Sequence, residues 1–323
     1  MLTGEAGVNL AFAKEFQALV GKIRKPWIRY SIVSGYAELT PSGYFKDPQG
    51  VFGASKDATA IEGIIRRTDV GLVFHSDLAG GILNYRIGVF NEGMSIAYKV
   101  WDGDSWENGT REGKLNDKKN FEYAARIEFQ PLMLGFKADS AATITGKTAD
   151  TTLGAKNIFV IGLGYNKEKH TPKLSQVNNK TLDRTGWTID ATFEKKYGNL
   201  VPNLQVGYIS VDETHLYKNL NTGTYKKGDT ESWYVMGQLL YDQVVGFGKP
   251  ALGFRYETIK ADGQYNATGS IKKDLEVNRL GLALNYYIKG QAARISLGFD
   301  NYKYKNAAKA KLKADGYEDS HRL

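Results

Sequence analysis

Strict alternation of apolar and polar side chains, on both sides of a short turn, is the feature that most constrains the fold of this chain. Residues 185–212 contain two such runs, separated by Gly198, Asn199 and Pro202, residue types that favour turns. Successive side chains of a β-strand point to opposite faces, so this pattern predicts an antiparallel hairpin. The apolar side of the hairpin carries Trp187, Ile189, Ala191, Phe193, Leu204, Val206 and Tyr208. A tilted arm of about ten residues is also long enough to cross the hydrocarbon layer of a bilayer.

The same alternation recurs along most of the chain. It is clearest at residues 121–130, where every second side chain is apolar. Together the patterns predict an antiparallel all-β fold of about 12–13 strands, counting an incomplete one. Besides the hairpin, the predicted strands lie at residues 5–13, 16–25, 67–77, 82–90, 121–130, 157–165, 232–242, 251–260, 275–288, 292–304 and, in part, 316–323. The facing of residues 232–242 stays open.

The connections between these strands alternate between long polar loops and shorter turns. One connection departs from the scheme, since residues 131–156 form a long segment where a short turn is expected. Short turns at one rim and long loops at the other are typical of an outer-membrane β-barrel, whereas a soluble β-sandwich has no reason to keep that order. Tyrosine and tryptophan near the strand ends are expected to form interfacial girdles: Trp187, Tyr197, Tyr208, Tyr241, Tyr256, Tyr286 and Tyr302.

Composition excludes several classes of protein. The 323 residues include 24% charged side chains, and the mean hydropathy is −0.40. No segment therefore approaches the roughly 18–20 apolar residues of a membrane-spanning helix. The absence of cysteine excludes disulfides and thiolate metal sites. A formal charge of +8 favours anionic partners, but no nucleic-acid recognition motif accompanies the lysines, so nucleic acid is not an expected partner.

Three segments of the sequence resemble the phosphate-selective porin family, porins O and P. They are residues 20–27 (Val-Gly-Lys-Ile-Arg-Lys-Pro-Trp), 67–74 (Arg-Thr-Asp-Val-Gly-Leu-Val-Phe) and 123–131 (Tyr-Ala-Ala-Arg-Ile-Glu-Phe-Gln-Pro). The resemblance implies an outer-membrane barrel of about sixteen strands, of which residues 1–323 would form one domain. It also implies a homotrimer in contact with outer-membrane lipid and lipopolysaccharide, with an anion-selective pore and no cofactor.

Both ends of the sequence depart from this family. About three strands of such a barrel and the signal peptide are missing before residue 5, and the last residues stop within the expected closing strand. The chain is therefore expected to be an internal fragment, truncated at both ends. Its expected location is the bacterial outer membrane, with the signal peptide removed or absent from this chain.

Strand alternation also predicts which charged side chains line the pore. If the apolar side faces lipid, six arginines point inward: Arg67, Arg86, Arg126, Arg255, Arg279 and Arg294. A guanidinium stays charged and matches the oxygens of phosphate or carboxylate, so these residues are candidate anion-binding groups. Seven carboxylates share their side: Asp69, Glu122, Glu128, Asp190, Glu194, Glu257 and Asp300. The alternative is that arginines and carboxylates form cross-strand pairs that stiffen the wall.

Two further stretches are candidates for shaping the pore. The segment between residues 26 and 66 is expected to fold into the lumen and narrow it, offering Arg29, Lys46, Lys56 and Arg66; the alternative is an exposed loop. A lysine-rich loop near the end of the chain is expected at the outer mouth, where it would concentrate anions; the alternative is a solvated loop. Its lysines are Lys303, Lys305, Lys309, Lys311 and Lys313.

The sequence predicts no catalytic or metal site. The four histidines are scattered without metal-ligand spacing, and no nucleophile elbow or phosphate-binding loop is present. The leading hypothesis is therefore a porin for passive diffusion of small anionic solutes, phosphate or similar oxyanions. A general, non-selective porin and a soluble, secreted β-sandwich binding module are the alternatives.

Overall fold

The fold is that of a computed structural model, which describes residues 5–33, 38–41, 43–45, 68–91, 98–109, 121–139, 149–170, 182–317 and 320–322. These residues contain fifteen strands and two α-helices. The strands are β1 Ala6–Ala13, β2 Phe16–Arg24, β3 Thr68–Leu78, β4 Leu83–Asn91, β5 Tyr98–Trp101, β6 Trp106–Gly109, β7 Phe121–Phe129, β8 Ile158–His170, β9 Leu182–Glu194, β10 Leu200–Lys218, β11 Tyr225–Tyr241, β12 Lys249–Ala267, β13 Ser270–Lys289, β14 Ala293–Lys305 and β15 Ser320–Arg322. The helices are α1 Arg29–Ile32 and α2 Asn306–Ala314.

Thirteen of these strands follow one another in a single antiparallel sheet. Its order is β1-β2-β3-β4-β7, continuing in sequence order to β15, while β5 and β6 form a hairpin whose strand β5 runs parallel to β10. In the described part of the chain, β1 pairs only with β2 and β15 only with β14. The antiparallel all-β class is thus confirmed. Closure of the sheet into a barrel is not, because its two edges do not pair.

The two faces of the sheet differ sharply in polarity. Phe121, Ile127 and Leu163 are 51%, 50% and 56% exposed, whereas the side chains on the other face of the same strands are buried and mostly polar or charged, with Ala124, Ile158 and Val160 as the buried apolar exceptions. We call these the apolar face and the inner face. On β11, Trp233 lies on the apolar face and Tyr234 on the inner face, which resolves the facing left open above.

Several predicted polar loops are strands instead. Residues 166–170, 182–184, 213–218, 225–231, 261–267 and 270–274 extend β8 to β13, and the connection between β12 and β13 contains only two residues. Part of the predicted loop at 91–120 forms β5 and β6, where Trp101 is buried and its Nε1 donates to the Gln264 carbonyl at 2.7 Å. The predictions failed here because cross-strand hydrogen bonds join backbones, so a ladder continues where side chains are polar on both faces.

The lysine-rich stretch near the end of the chain is a helix, not the predicted loop. Residues 306–314, Asn-Ala-Ala-Lys-Ala-Lys-Leu-Lys-Ala, consist mainly of strong helix formers, and Ala307, Ala308 and Leu312 are buried. The helix stops at Gly316, which has a φ of 79°, and the Tyr317 N–H closes the end on the Leu312 carbonyl. No helix in the described ranges is long and apolar enough to span a membrane.

Two irregular segments cover the inner face. The first inner segment comprises the described residues between 25 and 45 and follows β2; the second inner segment, residues 149–156, precedes β8. In the first, Trp27, Tyr44 and Phe45 are buried. The segment spans much of the sheet's width, since Lys25 pairs with Glu122 on β7 and the Glu38 carbonyl accepts from Arg294 on β14. The described residues of this region therefore lie against the inner face of the sheet.

A glycine on β8 makes this close approach possible. Gly164 faces the Trp27 carbonyl, and a Cβ there would overlap with that oxygen and lie 2.8 Å from Thr188 Cγ2. We therefore expect Gly164→Ala to destabilise the protein by about 1–3 kcal/mol, because a backbone oxygen must move to relieve the overlap. Chemical denaturation followed by tryptophan fluorescence measures this loss.

Gly253→Ala is the matched control. Gly253 also faces the first inner segment, but an added Cβ would lie 3.5 Å from Ala283 Cβ and 3.6 Å from the Leu39 carbonyl oxygen, which is ordinary contact. We expect this variant to keep the stability of the parent protein. Equal losses for both variants would contradict the close packing of Trp27 on β8.

Candidate functional site: the charged inner face

Arg126 lies at the centre of a buried charge cluster on β4, β7 and β9. Its Nε donates to Glu128 at 2.8 Å, and its two Nη atoms bind both oxygens of Asp190 at 2.7 Å. Arg86 donates to the other Glu128 oxygen, also at 2.7 Å. Asp190 is two strands away from Arg126, and the Arg126 guanidinium reaches it across Gly162 of β8. Any side chain at position 162 would overlap with that guanidinium. The cluster thus ties three strands together.

A second cluster joins β12, β13 and β14. Arg279 binds both Asp300 oxygens, at 2.9 and 3.0 Å, and donates from Nη1 to Glu257 at 2.7 Å. The same Nη1 is 2.8 Å from the Gly43 carbonyl, which also accepts from Arg255. The cluster therefore holds the first inner segment as well as the wall.

Three guanidiniums on the inner face make their hydrogen bonds to neutral groups. Arg255 donates to the Gly43 carbonyl and to Met236 Sδ, with its guanidinium 4.5 Å from the Tyr44 ring centroid. Its nearest carboxylate, that of Glu257, is 3.9 Å away. Arg29 donates to the Gln205 side chain and to the Ala149 carbonyl, and Arg294 donates to the Glu38 carbonyl.

Of the six predicted pore-lining arginines, five lie on the inner face and Arg67 is outside the described residues. Arg86, Arg126, Arg255 and Arg279 are buried, and Arg294 is half-buried. Arg86, Arg126 and Arg279 form the wall-stiffening pairs that the sequence had left as the alternative. Their charge is directed into carboxylates rather than toward a passing solute.

The second inner segment is built around the carboxylate of Glu194. That buried group, at the end of β9, accepts from the backbone N–H groups of Thr152 and Gly154 at 3.1 and 3.0 Å and from Asn203 Nδ2 at 2.8 Å. The hydroxyls of Thr151 and Thr152 also donate to it. These bonds explain why residues 131–156 do not form a short turn: their last part folds inward onto a buried charge.

Asp150 joins the two inner segments. The Tyr44 hydroxyl lies 2.9 Å from both Asp150 oxygens, and the Leu39 N–H donates to Oδ2 at 3.2 Å. Burial raises the pKa of the Asp150 carboxyl, an effect that the neighbouring Arg29 opposes. Burial and the Asp150 charge both raise the pKa of Tyr44 well above its usual value, so its hydroxyl keeps the proton that it donates.

No protein-family model matches this chain, and no curated protein does. Its function is therefore inferred from the geometry of the two faces and the inner segments.

The remaining predicted residues are distributed unevenly. Arg29 lies on the inner face, in α1, whereas Lys46, Lys56 and Arg66 are outside the described residues. Of the predicted basic loop, Lys305 pairs with Glu276 at 2.9 Å, and Lys311 pairs with Asp104 and Asp315 at 3.1 and 2.8 Å. The exposed members are Lys303, Lys309 and Lys313.

Sequence reasoning missed other charges of the inner face. Arg184 pairs with Glu168 in a buried contact, and its position on β9 has the facing of Asp190, so extending the alternation backward would have found it. Asp150 had no such signal because it lies in an irregular segment. No group of three or more potential metal ligands occurs among the residues described above.

Proposed function

We propose that this protein is an outer-membrane porin that passes small anionic solutes, phosphate or similar oxyanions, by diffusion along its inner face. The single observation that supports this most is the inverted polarity of the sheet. Each of the strands β1–β4 and β7–β14 exposes at least one large apolar side chain, while the inner face of the sheet buries arginine–carboxylate clusters beside apolar side chains such as Val73, Phe90 and Met236. A soluble β-sandwich instead packs its apolar faces against each other in a dry core.

The exposed apolar residues form a belt with aromatic borders. Its middle contains Ile127, Leu163, Ile189, Leu204, Leu252, Leu282 and Leu297. Trp187 and Tyr208 pack together on one border, as do Trp233 and Tyr256, each pair with ring centroids 5.1 Å apart. Soluble monomers rarely expose apolar patches beyond about 300–600 Å², whereas a belt with aromatic girdles suits a bilayer. Of the aromatics predicted for the girdles, Tyr302 is buried on the inner face instead.

The anion preference that we propose rests on Arg29, Arg255 and Arg294. Their hydrogen bonds go to neutral groups, whereas Arg126 and Arg279 bind carboxylates directly. Carboxylates are still near two of them: Glu257 lies 3.9 Å from Arg255, and the charge of Asp150 acts on Arg29. In a confined passage, uncompensated charge raises the local concentration of counter-ions. We further propose outer-membrane lipid and lipopolysaccharide as the surroundings of the belt, and a homotrimer as the assembled form.

Reversal potential tests the selectivity directly. The chain, refolded in detergent and inserted into a planar bilayer under a KCl gradient, should give a reversal potential near that of chloride. Arg294→Gln should move this potential toward zero, because it removes one of the three charges, whereas Lys303→Gln, on the exposed part of β14, should leave it unchanged. A wild-type reversal potential closer to that of potassium would overturn the anion preference. A complete lack of conductance by the inserted chain would overturn the porin function.

A general porin is the second candidate, favoured by the pairing of Arg86, Arg126 and Arg279 with carboxylates. The effect of inorganic phosphate on the chloride current distinguishes an oxyanion-binding pore from a general porin. Added inorganic phosphate should reduce the chloride current of an oxyanion-binding pore, because the two anions compete for the same guanidiniums. A chloride current insensitive to phosphate would favour the general porin.

A further inference from the structure

The two inner segments enter from opposite ends of the sheet. The first follows the end of β2, whereas the second lies between the end of β7 and the start of β8. Antiparallel order places the β7–β8 connection at the same end as the short turn between β3 and β4, where the Gln130 N–H donates to the Ile82 carbonyl. A passage along the inner face is therefore covered from both sides, and the segments meet part-way along it.

Each segment has its own anchors on the wall. The first is held at Glu38, Leu39 and Gly43, whose carbonyls accept from Arg294, Asn285 and the pair Arg255 and Arg279. The second is held by Glu194 and by Asn203 and Gln205, which donate to the Asp150 carbonyl at 2.9 and 2.7 Å. These anchors use none of the Asp150 side-chain oxygens, so they persist if that side chain is shortened.

Direct contact between the segments depends on few groups. The Asp150 carboxylate accepts from the Tyr44 hydroxyl and the Leu39 N–H, and Arg29 donates to the Ala149 carbonyl at 3.4 Å. The Asp150 carboxylate is fully buried between the segments. Removing it breaks the shortest links between them while leaving both sets of anchors in place.

We infer that Asp150 is a positioning residue that sets the size limit of the passage by holding the two inner segments together through Tyr44 and Leu39. This inference rests on the proposed porin function. It concerns the width of the passage rather than its charge preference. A solute larger than the limit is excluded because the segments stay joined, not because it fails to bind.

Variants of the two partners test this. The probes are KCl for single-channel conductance and neutral sugars of increasing size for vesicle swelling. Asp150→Ala should raise the conductance and shift the exclusion limit to larger sugars. Asp150→Asn keeps one acceptor oxygen and should give a smaller shift. We call the hydrogen bonds from Tyr44 and Leu39 to the Asp150 carboxylate the latch. Tyr44→Phe keeps all charges and the ring next to Arg255. A wider passage in this variant would therefore come from the broken latch and not from a change in charge.

A double-mutant cycle distinguishes a latch from general loosening. Because the Tyr44 hydroxyl acts through the Asp150 carboxylate, Tyr44→Phe should shift the sugar limit in the wild type but not in Asp150→Ala. Ser232→Ala is the control, since it removes a 2.6 Å hydrogen bond to the Thr258 carbonyl within the wall. It should leave conductance and sugar limit unchanged.

The possible outcomes separate the two proposals. If the wild type conducts and Asp150→Ala and Tyr44→Phe keep its conductance and sugar limit, the latch is overturned while the porin stands. If neither the wild type nor any inserted variant conducts, the porin is overturned and the latch with it.

Discussion

Arg126→Ala is expected to lower the free energy of unfolding by about 3–5 kcal/mol, the usual cost of removing one partner from a buried ion pair. The guanidinium makes three hydrogen bonds to Glu128 and Asp190, all of 2.7–2.8 Å, with side chains that are 5% exposed or less. Without Arg126, Asp190 stays buried but loses both of these bonds. Chemical denaturation in detergent micelles or vesicles, followed by tryptophan fluorescence, measures the loss.

Two comparisons identify the cause of this loss. Lys305→Ala removes a cation from a partly exposed pair with Glu276, and should cost no more than about 1 kcal/mol, because exposed pairs contribute little. Replacing both partners, in Arg126→Met with Asp190→Asn, should recover much of the stability, since no unpaired buried charge remains at Asp190. Equal losses in Arg126→Ala and Lys305→Ala would contradict a buried charge cluster in the wall.

Leu163→Lys is expected to cost about 2–4 kcal/mol of stability in a bilayer and to reduce insertion into vesicles. Leu163 is 56% exposed, lies on the apolar face of β8 and is flanked by Ile127 and Ile189 on the adjacent strands. A lysine there would face acyl chains at mid-belt. Urea unfolding from phospholipid vesicles, with the inserted fraction measured by flotation, provides both quantities.

Thr222→Lys is the matched control for Leu163→Lys. Thr222 lies in the exposed connection between β10 and β11, away from the apolar belt. The same charge added there should change neither stability nor insertion. If the apolar face instead lies in water, the stability of Leu163→Lys should also lie within about 0.5 kcal/mol of that of the parent protein, as is usual for surface substitutions. That result would contradict the membrane assignment.

The inner and apolar faces of the strands were predictable from the sequence because facing in a strand depends only on counting by two. Arg126 and Leu163 illustrate this, since each lies on the face that alternation predicts. Strand ends were harder to predict: β10 and β12 continue into polar stretches where alternation stops but backbone pairing does not. The helix α2 was not predicted although its alanines and lysines favour helix, because alternation of apolar and polar residues does not mark a helix.

Side-chain partners could not be predicted in the same way. The six arginines and seven carboxylates were nearly balanced in number, and only the register between strands decides which of them meet. Asp190 binds Arg126 because Gly162 lies between them and has no side chain to block the contact. Gly162 and Gly164 on β8 both make room for atoms on the inner face, namely the Arg126 guanidinium and the Trp27 carbonyl.

The sequence by itself determined the antiparallel all-β class and which side chains lie on each face, because alternation is a local property of the strand backbone. Only the tertiary structure decided which charges pair, where the inner segments lie and that Asp150 joins them. The contacts between the inner segments link residues more than a hundred positions apart in irregular backbone, as with Tyr44 and Asp150. No periodic pattern extends over such a distance, so packing against the wall alone brings them together.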